Sequence, residues 1–184
     1  DTNPWCLDGA RALAHRHRLS EQRLSFASAV PEGAVGTFDV AISQNSFEHF
    51  ADPGAELRTM RNALRPGGRL FITFGPPWLA PSGSHMYFFT RVPWVNVLWS
   101  EDAVMRVRSR FRSDGARRYE EVEGGLNRMT VARFEQLVRA SGMSVAWRRY
   151  RGVKDLQFLT RVPRLREYFV NVVSCVLTAR GARF

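Results

Sequence analysis

Lysine is almost missing from this sequence: of its 27 basic residues, Lys154 alone is not arginine. Such a bias reflects codon composition more than a need for guanidinium at every position, so arginine content by itself argues for no partner. Cysteine is nearly as scarce. Cys6 and Cys175 stand far apart and belong to no CxxC or CxxH pair, which excludes a disulfide framework and a zinc site by spacing. A reducing, cytoplasmic setting without a metal is the expectation. No apolar run reaches the roughly 18 residues of a spanning helix, because Arg91, Pro93 or Asn171 interrupts each candidate. There is no internal repeat, no signal-like apolar stretch and no initiating Met ahead of Asp1. What remains is 184 residues, 45% of them hydrophobic, enough for one domain with a sizeable core. The formal charge of +10 favours anionic partners.

Helical and strand-like segments alternate along the chain. Leu7, Ala10, Leu13, Ala14 and His17 recur at helical spacing between Pro4 and Leu19. Arg23 to Ala29 and Phe38 to Ser43 read as short strands, the second continuous enough to be buried on both faces. Asp52-Pro53 is a helix start, with Asp as cap and Pro at the first helical position, and Pro66-Gly67-Gly68 stops that helix. Arg69 to Gly75 is strand-like. Residues 76 to 99 interleave prolines with aromatic residues in a long loop, a texture that is usually functional. Ser100 opens a helix predicted to turn Val104, Val107 and Phe111 inward and Arg106, Arg108, Arg110 and Arg112 outward. Residues 113 to 129 are polar and irregular. Thr130 caps a further helix that Gly142 ends, and strands follow at Ser144 to Tyr150 and Phe169 to Ala179, with a short turn of helix near Leu165. The alternation predicts an α/β sheet with helices on both faces.

Ligands of such sheets bind at the carboxyl ends of strands, which singles out Asp1, Ser28-Ala29, Gln44 to His49, Gly75 to Trp78 and the aromatic loop. Asn45, Ser46, Glu48 and His49 make the densest polar group. Glu48 and His49 either serve a ligand or hydrogen-bond the following turn. Across residues 38 to 77 the run FDVAISQNSFEHFADPGAELRTMRNALRPGGRLFITFGPP resembles the second half of a class I S-adenosylmethionine-dependent methyltransferase, in which an FDVV-like strand, a Glu-His segment, a helix, an Arg-Pro-Gly-Gly turn and an RLxIT-like strand occur in this order. LNRMTVARFEQLVRASGM and VNVVSCVLTA are similar to that family's closing helix and strand.

The resemblance implies a Rossmann-like sheet of order 3-2-1-4-5-7-6. The family's glycine-rich turn has no counterpart here, so the expectation is a partial methyltransferase domain over residues 1–184, truncated at its N-terminus, lacking strand one and most of strand two, and inactive as it stands. With those strands missing, strand three, Arg23 to Ala29, is expected to be poorly ordered or collapsed onto strand four. The implied cofactor is S-adenosyl-L-methionine. Asp1 matches the family's ribose-binding carboxylate, Ser28 and Ala29 the adenine contact, and Asn45, Ser46 and Phe47 the segment after strand four. Ser28 stands where the family usually has Asp, and a hydroxyl accepts more weakly than a carboxylate.

Residues 76–129 then form an insertion after strand five that serves as an acceptor-side lid. Within it His85 is the candidate catalytic base, unless it only orders its own glycine-containing loop. Trp78, Tyr87 and Trp94 are candidate substrate-binding residues; with Phe88 and Trp99 they could instead face a lipid-like substrate or pack a lid core. His15 and His17, two apart on a helix, point to different faces and suit no shared metal. Residues 148 to 151 and 161 to 166 are basic; they could meet an anionic substrate or nucleic acid, but form a solvated face equally well, and no nucleic-acid partner is expected. The implied reaction is methyl transfer to an oxygen of a sugar, lipid or secondary metabolite. The alternatives are a nucleic-acid or protein acceptor, or a non-catalytic partner-binding module.

Overall fold

A computed structural model describes residues 4–20 and 24–179. Six helices, α1 (Pro4–Arg16), α2 (Pro53–Ala63), α3 (Val95–Leu98), α4 (Glu101–Arg108), α5 (Val131–Ala140) and α6 (Pro163–Phe169), accompany four strands: β1 (Phe38–Gln44), β2 (Leu64–Phe74), β3 (Ser144–Gly152) and β4 (Val170–Thr178). The strands form one sheet of order β1-β2-β4-β3. β1 and β2 are parallel, and β4 runs antiparallel to both β2 and β3. This is the 4-5-7-6 half of the expected strand order.

Local chemistry explains the helix starts. The Asp52 side chain accepts hydrogen bonds from the backbone N–H groups of Gly54 and Ala55, both at 2.9 Å, with Pro53 behind it. These bonds, chiefly the one from Ala55, hold the Asp52 carboxyl below its usual range. At α5, Thr130 accepts from Arg133, while Glu167 of α6 takes the otherwise orphaned Val131 and Ala132 N–H groups at 3.0 and 2.6 Å.

Burial alternates along β2 and β4. Leu70, Ile72, Phe74, Val173, Cys175 and Leu177 line a core face covered by Leu57 of α2 and by Phe134 and Val138 of α5. Phe134 sits edge-on to Phe47 at 5.4 Å and tilted to Phe74 at 5.0 Å. Helices were expected on both faces. On the face opposite α2 and α5, the row of Ile42, Phe71 and Trp147, in register across the sheet with Val176, keeps much of its surface exposed.

Two sequence expectations require correction. β1 is not buried on both faces: among the described residues it pairs with β2 alone, and Ile42 is 72% exposed. A continuous apolar run marks a strand, but what lies beside that strand is decided by distant residues. Leu24 to Ala29 form no strand and do not collapse onto β1; this irregular segment instead meets α1, with Leu24, Ser25 and Phe26 lining a shallow space beside Ala14, His15 and Leu19. A strand needs a partner for its backbone groups, and none of the described strands accepts this one.

Candidate active site

The carboxyl ends of β1 and β2 open onto residues 45–50 and 75–90, and the two loops are fastened to each other. Glu48 is buried, and its Oε1 accepts the Gly75 N–H at 3.1 Å; its Oε2 has no partner among the described residues. Asn127 clamps the first loop, donating from Nδ2 to the carbonyls of Phe47 and Phe50, both at 2.8 Å, while its N–H reaches the Glu48 carbonyl at 3.0 Å. Gly75 has φ 151°, and a Cβ there would lie 2.2 Å from the Asn171 carbonyl oxygen at the start of β4.

The second loop is equally tight. A Cβ on Gly83 would fall 2.2 Å from the Trp78 carbonyl oxygen, so the turn closes only with glycine. Asn96 of α3 donates to the same carbonyl at 2.7 Å, and the Trp94 indole N–H donates to the Leu79 carbonyl at 3.1 Å. Gly83→Ala is expected to destabilise the fold by about 2–3 kcal/mol and to loosen the His85 loop, read as a lower urea midpoint and altered His85 resonances.

His85 leaves this turn in a left-handed conformation, φ 58°. Its ring meets the His49 ring edge-on, centroids 5.6 Å apart. His49 Nδ1 lies 2.7 Å from the Gly125 carbonyl. A carbonyl only accepts, so Nδ1 carries the hydrogen. By the same reasoning His85 Nε2 donates, over a longer 3.4 Å, to the Pro76 carbonyl, and Nδ1 keeps its lone pair. Burial lowers the pKa of His85 below its ordinary 6.5; the Pro76 contact and the Glu48 charge oppose this, and His49 adds to it. His85 is therefore neutral at pH 7.

Both rings border a cavity of about 190 Å³, closed by Phe88, Arg108, Asp114 and Leu126 among others. Arg108 and Asp114 form a bidentate pair, both contacts 2.6 Å, and Arg108 holds the Asp114 carboxyl at about 2. The sequence had placed Arg108 outside and Val107 and Phe111 inside. Val104 is buried and Arg106, Arg110 and Arg112 are exposed as expected, but Arg108 turns inward beside Met105, and Val107 and Phe111 are exposed. An arginine can be buried here because Asp114, beyond the helix end, neutralises it. Nothing local in the sequence announces that pairing.

The other predicted site residues are scattered. Asn45, with φ 50°, and Ser46 lie at the carboxyl end of β1. Phe47 is fully buried in the core, and its carbonyl accepts from Asn127. Ser28 and Ala29 are exposed in the irregular segment, and Asp1 lies outside the described residues. Trp78 packs edge-on to Tyr119 at 4.7 Å beneath Arg128, in a second core formed by residues of the 76–129 segment. Trp94 faces Phe169, and Tyr87 is exposed. None of these three aromatic residues borders the His85 cavity. In the basic segments, Arg148 and Arg166 both pair with Glu135, at 3.1 and 3.6 Å, and lie over Tyr150. Part of that charge is thus satisfied internally.

Residues 1–146 match the family model described as a methyltransferase domain. The chain belongs to this methyltransferase domain family. A ubiquinone biosynthesis O-methyltransferase from Caulobacter vibrioides is 42% identical over 60 residues, a stretch that spans 33% of this chain and 21% of that relative. Among solved structures, a SAM-dependent methyltransferase from Methanosarcina mazei shares the fold at TM-score 0.52 and 12% identity, covering 98% of this chain and 80% of the other. The [4+2]-cyclase SpnF shares it at TM-score 0.59 and 14% identity, covering 97% and 64%. The methyltransferase fold therefore does not by itself dictate the reaction. No helix among the described residues is long and apolar enough to cross a membrane.

Proposed function

We propose that the protein transfers a methyl group from S-adenosylmethionine to an oxygen of a small-molecule acceptor, with His85 as the general base and residues 76–129 as the acceptor-side lid. The observation that carries this reading is His85 bordering a cavity at the carboxyl ends of β1 and β2, with its Nε2 turned to the Pro76 carbonyl at 3.4 Å and its burial favouring the neutral ring.

Asn45, exposed at the carboxyl end of β1, fits a share of the cofactor: its N–H is held by the Thr73 carbonyl and the Ser46 hydroxyl by the Gln44 carbonyl, so the Asn45 side chain is the group assigned to the ligand. Ser28 and Ala29 stand off the sheet and do not join that residue, so the described residues provide part of a cofactor site. When bound, the sulfonium supplies an already activated methyl group. A hydroxyl acceptor is a weak nucleophile until it sheds its proton. His85 Nδ1 takes that proton as the oxygen attacks, and the Nε2–H, held toward Pro76, fixes the ring orientation. Glu48, acting through its charge, favours the imidazolium that forms. The lid excludes water and aligns the acceptor, an effect worth roughly 7–11 kcal/mol of a barrier when alignment is complete.

The test is incubation with methyl-labelled S-adenosylmethionine and a panel of phenols, sugars and hydroxylated lipids. Label recovered on an acceptor oxygen supports the reading; label on nitrogen or carbon, or none, rejects it. The position of Ser28 and Ala29 off the sheet favours a second reading, a non-catalytic partner-binding module, which expects no labelled product.

A further inference from the structure

The outward turn of Val107 and Phe111 leaves an apolar surface that the catalytic reading does not use. Tyr87, Val92, Leu98, Trp99, Val107 and Phe111 all keep about two fifths or more of their area exposed, with Leu98 at 61%. They come from three separate stretches of the lid that the fold brings together. Phe89 stacks on Phe111 at 5.4 Å and meets Phe88 edge-on at 5.2 Å, and a groove of about 320 Å³ runs between Phe89, Val92, Trp99 and Val107. Exposed patches of this kind mark interaction surfaces.

Between residues 87 and 112 the charges are mostly basic. Arg91, Arg106, Arg110 and Arg112 are exposed, and among the described residues none pairs with a carboxylate. Arg112 lies over the Phe88 ring at 4.7 Å. Asp102 is the exposed acid of α4, while Glu101 is committed to Arg128 and to the Tyr119 N–H. A second copy seated on this face across a two-fold axis would oppose arginine to arginine, which disfavours self-association.

We propose that this face docks on a bilayer bearing anionic headgroups. Trp99, Leu98, Val107 and Phe111 enter the boundary between headgroups and acyl chains, and the four arginines meet the phosphates, the arrangement of interfacial proteins that lie on a membrane without crossing it. Phe88 and Arg112 border the His85 cavity as well, so a bilayer-resident acceptor would reach His85 without passing through bulk water. That last step rests on the proposed function; the docking itself does not.

Cosedimentation of the full chain with vesicles, without cofactor or acceptor, tests the docking. Wild type is expected to pellet with vesicles of equimolar phosphatidylglycerol and phosphatidylcholine and to stay in solution with phosphatidylcholine alone. R106Q/R110Q is expected to bind anionic vesicles about thirty-fold more weakly, from about a five- to sixfold loss per arginine. W99S/V107S is expected to lose binding at least tenfold at unchanged melting temperature, since both side chains are exposed. Equal binding to both vesicle types, no binding, or binding by the variants as by wild type would overturn the proposal. So would dimers of vesicle-free wild type that W99S/V107S abolishes, which would assign the face to a second copy. Because no methyl transfer is measured, failure of the catalytic reading would leave this result intact.

Discussion

His85→Ala is expected to lower kcat for methyl transfer to a hydroxyl acceptor by about 10²–10⁴-fold, the usual contribution of a positioned general base. The affinity for S-adenosylmethionine should not change, because His85 lies in the lid and not among the residues assigned to the cofactor. His85→Gln should be as impaired, since an amide is no base at neutral pH. Two further readouts separate a base from a residue that only orders its loop. The variants should lose the acidic limb of the pH–rate profile. An acceptor with an acidic phenol, ionised before it binds, should be methylated with a smaller loss than an alcohol. A loss equal for both acceptors would make His85 a packing residue.

Phe134→Ala is expected to cost about 3–5 kcal/mol, the range for deleting a fully buried phenyl ring. Phe134 touches no proposed substrate, yet its ring joins three parts of the molecule: Phe47 in the loop after β1, Phe74 at the end of β2, and α5 itself. The cavity it leaves would sit directly beneath the loops that carry Glu48 and His85. Urea denaturation should show a lower midpoint with an unchanged slope. Phe134→Leu, which keeps most of the volume, should cost much less, and equal losses for the two variants would mean that the aromatic contacts and not the cavity dominate.

What the sequence disclosed divides along the range of the interactions involved. The start of α2 is local: Asp52, Pro53 and two backbone N–H groups within three residues determine it, and they are legible as written. The strand run of β2, and the glycine that a tight loop near His85 demands, are legible for similar reasons. The inward turn of Arg108, with Val107 and Phe111 left outside, is not, because only Asp114, beyond the end of α4, neutralises that arginine. Leu24 to Ala29 carry strand-like composition, but a strand is a pairing and no described partner accepts them. Among candidate site residues, His85 stands out in the sequence by its glycine-containing loop, while Glu48 and His49 have two open roles there. Glu48 is tied to the second loop through Gly75 and His49 to the later irregular stretch through Gly125, contacts that span 27 and 76 positions.

His85 also gives the folded protein a pH signature. Its folded pKa is lowered from 6.5, so its contribution to stability is present above pH 6.5 and is lost as the pH falls through the folded value. The acidic limb of kcat/KM should likewise have its midpoint below 6.5. Both follow from one quantity, the protonation state of a single ring. The most direct measurement is long-range ¹H–¹⁵N NMR of the histidines across a pH titration. The expected result is a His85 ring that is neutral at pH 7, protonated on Nε2 with a free Nδ1, and titrates below 6.5. An imidazolium at pH 7, or a neutral ring carrying its proton on Nδ1, would contradict His85 as the base of the proposed methyl transfer.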